Sequence, residues 1–141
     1  MKKHISTIAI VFLFAAQLLY PTSGFATDYY VHADVGDNRN SGLQPDEAFA
    51  TLIYAMRQLT PGDTLYLRSG LYDETVNLGT SSYNDGTSEN PITIKSYPNE
   101  KPIIGDNNAV FRVYDRKWWV FEDLTFQNSM AMTFGGRDTS L

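Results

Sequence analysis

Oxygen-bearing side chains crowd two short stretches of this 141-residue chain, and both are candidates for chemistry. Asp34, Asp37, Asn38 and Asn40 form the denser cluster, and calcium favours such ligands. The stretch lacks the full spacing of a calcium loop and its closing Glu, so the plainer reading is a polar turn whose Asx side chains bond local backbone. Asp106, Asn107 and Asn108 raise the same question and receive the same reading. Lys95 and Arg112 are candidate bases for removing a carbon-bound proton, but neither has an acidic metal site at matching spacing. Lys95 alternates with Ile94, which puts it on the solvated face of a strand. His32 follows an apolar run and reads as a structural imidazole. Trp118 and Trp119 are candidates of another kind, because an indole face suits the apolar face of a sugar ring. Neighbouring strand residues point to opposite sides, so at most one indole faces out, accompanied by Tyr114, and the other belongs to the core. Asn128 reads as a ladder residue that stacks on an equivalent Asn of a following coil. None of these residues is assigned as catalytic or cofactor-binding, and metal ligation is left open.

The elements that would position these residues recur along the chain. Asp63–Leu67, Pro91–Lys95 and Lys117–Phe121 are short β-rich runs, with 28 residues from Thr64 to Ile92 and again from Ile92 to Val120. Each is followed by a second β-like stretch: Glu74–Leu78, Lys101–Gly105 and Leu124–Asn128. Such self-similarity marks a solenoid whose repeats cover only their neighbours. Asp28–His32 reads as a first strand, and Gly36–Gly42 is built of turn formers. Pro45, Asp46 and Glu47 open a helix, since acidic groups suit its first turn. Phe49, Leu52, Ile53, Met56 and Leu59 give that helix one apolar face, and Thr60-Pro61-Gly62 ends it. Lying across the first coil, the Asp46–Leu59 helix would cover its open end. The loop from Gly79 to Asn90 is expected to project, and Pro91 to sit at a strand start. The fold class is therefore all-β, a parallel β-helix with an N-terminal capping α-helix. Met130–Phe134 reads as the opening strand of a further coil, so a truncated or split reading frame is expected.

Composition narrows the partners. Lys2 and Lys3, the apolar stretch Ile5–Leu19 and the small residues Gly24 and Ala26 have the three parts of a secretory leader. Cleavage after Ala26 would leave one domain over 27–141 with no membrane anchor, since the apolar run is shorter than a spanning helix needs. Removing Lys2 and Lys3 leaves 9 basic against 16 acidic residues and moves the net charge from -5 to -7. Without a basic cluster, nucleic acid is excluded as a partner. A polyanionic sugar would need local cations or a bridging metal. The absence of cysteine rules out disulfides, so packing and backbone pairing must supply the stability.

Taken in order, several motifs resemble one family. They are Tyr29-Tyr30-Val31, Gly36-Asp37, Asn40-Ser41-Gly42, Phe49-Ala50-Thr51-Leu52 with Ala55, and Pro61-Gly62-Asp63-Thr64-Leu65-Tyr66-Leu67. Gly70-Leu71-Tyr72, Asn90-Pro91-Ile92-Thr93-Ile94-Lys95 and Leu124-Thr125-Phe126-Gln127-Asn128 continue the series. Together they are similar to the N-terminal portion of secreted right-handed parallel β-helix proteins of the pectate-lyase-like superfamily. Family-nine pectate lyases and the chondroitinase B and alginate lyase group are the relatives indicated. The resemblance implies β-elimination on acidic, uronic-acid polysaccharide, with a Lys or Arg base and calcium held by acidic residues. It places those groups on coils further along than this chain reaches, so no catalytic residue is carried over. A non-catalytic β-helix used for surface or carbohydrate binding is the alternative.

Overall fold

Strands form wherever apolar and polar residues alternate, because alternation sends one face of each strand into a core. The computed structural model describes residues 25–80, 82–105 and 110–127, and the backbone of 131–135. Its strands are β1 (Asp28–Val31), β2 (Thr64–Leu67), β3 (Gly70–Tyr72), β4 (Val76–Asn77), β5 (Ile92–Ser96), β6 (Pro102–Ile104), β7 (Val110–Tyr114), β8 (Trp119–Glu122), β9 (Thr125–Phe126) and β10 (Ala131–Gly135). They pair in three parallel sheets, ordered β1-β2-β5-β8, β3-β6-β9 and β4-β7-β10. The chain visits the three sheets in turn and repeats the circuit, a β-helix-like arrangement with very little helix.

The register differs from the equal spacing expected. Thr64 pairs with Thr93, and Thr93 pairs with Val120. The two coils are thus one residue longer and one shorter than 28. Pairing Thr64 with Ile92 would set an outward residue against an inward one, and a one-residue slip reverses every side chain. The second β-like stretches also divide. Lys101–Gly105 and Leu124–Asn128 contain β6 and β9 of one sheet, whereas Glu74–Leu78 contains β4 of another. Strand β7 supplies the middle of that third sheet. Strand β10 pairs with β7, so it closes the third circuit and does not open a further one, as the reading of Met130–Phe134 had it.

The expected Asp46–Leu59 helix is broken. Pro45–Glu47 form a single 3-10 turn, and only Leu52–Met56 make an α-helix (α1). Between them Phe49 is extended and bridges Val31 in parallel. Its N–H donates to the Tyr30 carbonyl, and its own carbonyl accepts from the His32 N–H, both at 2.9 Å. Edge pairing with β1 wins over helix propensity here because it satisfies backbone groups that would otherwise face an open sheet edge. The apolar positions Leu52, Met56 and Leu59 are still buried. Thr51 caps α1, and both Glu74 carboxylate oxygens accept from the Leu52 and Ile53 N–H groups.

One core gathers side chains from all three sheets. Leu65, Ile94, Tyr72, Ile104, Val76 and Phe111 are buried together. The Phe111 ring meets Phe121 at 5.8 Å and Phe126 at 5.2 Å, both edge-on, so each sheet contributes one ring to that layer. Tyr72 donates its hydroxyl to the Val31 and Arg68 carbonyls at 2.9 and 2.8 Å. Burial pushes its phenol well above the ordinary range. Buried Asp63 is satisfied by the Thr27 and Thr60 N–H groups and the Thr60 hydroxyl, so it closes a turn.

In the segment from Gly79 to Asn90, expected to project, Tyr83 and Gly86 are buried while most of the other described residues are exposed. Asn84 donates to the Leu59 carbonyl at 2.7 Å, and the Asn84 carbonyl accepts from the Trp119 indole at 2.9 Å. A polar segment can pack in this way when its side chains bond the backbone it lies against.

Candidate functional site

The outward face of sheet β1-β2-β5-β8 carries an ordered row of side chains. Strand parity and register align Tyr30, Tyr66, Lys95 and Glu122 across the four strands. Tyr30 and Tyr66 stack at 5.4 Å, and the Lys95 ammonium lies 5.0 Å from the Tyr66 ring centre. Tyr97, just past β5, meets both tyrosines edge-on at 6.0 Å, with the Arg68 guanidinium 4.7 Å over its ring. Such cation–ring contacts hold a positive charge in place at a surface. Burial, then the Asp28 carboxylate and the Tyr66 and Tyr97 phenols, raise the Tyr30 phenol, so it remains a donor at neutral pH. Arg68 also pairs with Glu100 at 2.7 Å. Burial pushes the Glu100 carboxyl up, but bonds from Ser69 and Arg68 outweigh it and the net direction is down. The patch therefore offers phenols and cations together. The placement of Lys95 beside Tyr66 depends on the true register, since equal 28-residue spacing would set Tyr66 against Ile94.

A second exposed feature lies at the entry to β8. Trp118 has φ 59° and is 46% exposed. Trp119 turns inward, half-buried, stacking on Phe121 at 6.3 Å and meeting Tyr83 edge-on at 6.5 Å. One indole is out and one in, as expected, but Trp118 precedes β8 and its left-handed backbone, not strand alternation, turns it out. Tyr114, the aromatic expected beside the exposed indole, is half-buried. Its ring lies against Gly79, where an added Cβ would sit 2.1 Å from Tyr114 Cε2.

The remaining candidates resolve into structural duties. Asn38 accepts from the Ala50 and Thr51 N–H groups at 3.0 and 3.1 Å and donates to the Thr51 hydroxyl. Asn40 donates to the Ala48 carbonyl at 3.0 Å. Asp37 accepts from the Arg39 N–H at 2.9 Å and from its guanidinium, which holds its carboxyl at about 2. Asp34 donates its N–H to His32 Nδ1 at 3.3 Å. Asn38 and Asn40 tie the loop to the segment before α1, and Asp37 is held by Arg39 within the loop. Among the described residues no group of three or more His, Cys, Asp or Glu comes together that could hold a metal. Lys95 and Arg112 stand on different sheets, so they share no site. Asp106, Asn107, Asn108 and Asn128 lie outside the described residues, as do residues 1–24 of the expected leader. No helix among the described residues is long and apolar enough to cross a membrane.

Comparison with known proteins agrees with this architecture. No protein-family model matches the chain. It is 30% identical over 135 residues to a pectate lyase of Emericella nidulans, covering 84% of this chain and 31% of that protein. It is 28% identical over 109 residues to an uncharacterized Bacillus subtilis (strain 168) protein, YwoF, covering 72% of this chain and 22% of the relative. The chain thus spans less than a third of the length of either curated relative. Among solved structures it matches a rhamnogalacturonan lyase with a TM-score of 0.57 at 20% identity, over 77% of this chain and 30% of that one. A lacto-N-biosidase of Eubacterium ramulus matches with a TM-score of 0.56 at 24% identity, over 80% and 22% of the respective chains. The structural likenesses establish the shared fold. With the pectate lyase match they tie the chain to a carbohydrate-active superfamily.

Proposed function

We propose that this chain is the N-terminal segment of a secreted, right-handed parallel β-helix protein that acts on acidic, uronic-acid polysaccharide. In this reading the eliminating base lies on other coils, and residues 27–141 form the start of the β-helix domain. The observation that carries the reading is the pectate lyase match spread over 84% of the chain, on a scaffold of three parallel sheets. The leader-like residues 1–26 support secretion. Calcium, if the intact protein uses it, would find the Asp37 and Asn38 oxygens of the Asp34–Asn40 loop already engaged by Arg39 and by the Ala50 and Thr51 N–H groups.

Within this segment the contribution to function is binding. Lys95 supplies positive charge beside the phenols of Tyr30, Tyr66 and Tyr97, and charge-assisted hydrogen bonds to carboxylate are the stronger kind. The test is electrophoresis of this chain through gels containing polygalacturonate, alginate, chondroitin or a neutral glucan. Retardation by at least one polyuronate and not by the glucan is expected, with no unsaturated uronide ends forming. Equal mobility in all four gels refutes the reading.

A further inference from the structure

We propose that Trp118 forms a saccharide-stacking subsite, taking one pyranose ring of a glycan chain on its exposed indole; this rests on the carbohydrate reading above. The first observation is conformational. Trp118 has φ 59°, a left-handed geometry that Gly, Asn and Asp enter readily and that is an outlier for a bulky side chain. The other non-glycine residues at positive φ among those described are Asn99, Asp115 and Asp123, which are residue types suited to it. A tryptophan at such a position keeps its place only if the surroundings over-determine the turn, and strain of this kind gathers at ligand sites.

The surroundings do over-determine it. The Trp118 carbonyl accepts from the Ile92 N–H at 2.9 Å, and the Lys117 carbonyl accepts from the Gly86 N–H at 3.0 Å. Asp85 accepts from the Lys117 N–H at 3.0 Å, and Arg116 donates to the Tyr83 carbonyl at 2.6 Å. Gly86 permits the close approach, since a Cβ there would lie 2.5 Å from the Trp118 carbonyl oxygen. All these bonds fix the backbone, and none uses the indole. The indole is also 46% exposed, while Trp119 packs half-buried against the core.

The position therefore presents an indole to solvent from a fixed backbone, at a conformational cost. An indole face is apolar and electron-rich, and the C–H face of a pyranose is its complement. Exposed Lys117 adjoins it, and Thr87, Ser88, Glu89 and Asn90 form an exposed polar turn hydrogen-bonded within itself nearby. Those groups suit ring hydroxyls, and Lys117 suits a uronate carboxylate.

The experiment titrates the full chain with an oligogalacturonide and with a neutral gluco-oligosaccharide, reading tryptophan emission and its quenching by iodide. Bound oligosaccharide is expected to protect the quenchable indole. Trp118→Asn, which suits the left-handed turn, should keep or raise the melting temperature and weaken oligogalacturonide binding at least tenfold. Trp118→Phe should retain binding within a few-fold, and Lys117→Ala should weaken the acidic ligand more than the neutral one. Should Trp118→Asn misfold, Trp118→Gly gives the same comparison. Wild-type affinity in a folded Trp118→Asn or Trp118→Gly variant overturns the subsite and leaves the carbohydrate reading standing. No binding by the wild-type chain overturns both.

Discussion

Truncating Phe111 to alanine should cost roughly a quarter or more of the stability of a domain this size. Phe111 is 1% exposed, and it is the ring through which the third sheet reaches the other two. Replacing a buried phenylalanine by alanine costs about 3–5 kcal/mol, including the cavity left behind. The two edge-on ring pairs, each worth ~0.5–1.5 kcal/mol, favour the upper half of that range. We therefore expect about 4 kcal/mol, against a total of roughly 5–15 kcal/mol for a typical domain. In urea, with a slope of ~1–3 kcal/mol/M, the midpoint should fall by about 1.3–4 M with little change in slope. Arg112→Ala is the control, since Arg112 is the next residue of β7 and points outward, and a surface change of this type should stay within about 0.5 kcal/mol. Phe111→Leu should cost less than Phe111→Ala because it leaves a smaller cavity. If Phe111→Ala and Arg112→Ala lower the midpoint equally, Phe111 does not face a core shared by three sheets. A one-residue slip of β7 would have that effect, because it exchanges the two faces.

Two further outcomes follow from single bonds. Glu74→Ala should destabilise by about 1–2 kcal/mol in chemical denaturation, since it removes the carboxylate that accepts from the first two N–H groups of α1. Glu74→Gln, which keeps one acceptor oxygen, should lose less. Asp37 should titrate by NMR near pH 2, lowered by its bonds to Arg39, and Arg39→Ala should return it toward 3.8. Because the folded pKa is the depressed one, the favourable contribution of this exposed pair is present above pH 3.8 and lost as pH falls through about 2. Added salt should shrink it.

The sheet β1-β2-β5-β8 was legible because its strands alternate cleanly: Leu65 and Leu67, then Ile92 and Ile94, against Thr64, Tyr66, Thr93 and Lys95. Equal spacing still misaligned them by one residue, and the parity of Thr64 against Ile92 was the signal that could have corrected it. Val110–Tyr114 also alternates, but as the middle strand of a third sheet it has no counterpart in a two-strand repeat. The helix was overread because Phe49 is apolar for a different reason: it lies along β1 and covers Gly42, where an added Cβ would sit 2.2 Å from its ring. Helical spacing cannot separate that from the buried face of Leu52, Ala55 and Met56. Tyr83 was missed because one buried aromatic in a polar loop has no period. At the candidate site, strand alternation called for one indole out and one in, but Trp118 lies just before β8 and not on it. The left-handed turn that exposes Trp118 depends on Gly86 and Ile92, which are distant in sequence.

The stacking of coils is tested most directly by cross-linking across β2 and β5. The chain contains no cysteine, so an introduced pair reports without background. Adjacent strands lie about 4.7–4.9 Å apart, within the ~4.4–6.8 Å that a disulfide spans between Cα atoms. Thr64 and Thr93 are directly paired and both face outward. Mild oxidation of the Thr64→Cys, Thr93→Cys chain should close an intramolecular disulfide, seen as a shift in electrophoretic mobility that reductant reverses. The Thr64→Cys, Ile92→Cys chain should not close it, because Ile92 is buried on the other face. Ready closure of the second pair and none of the first would contradict the register, and with it the row of Tyr30, Tyr66 and Lys95 on which the binding surface depends.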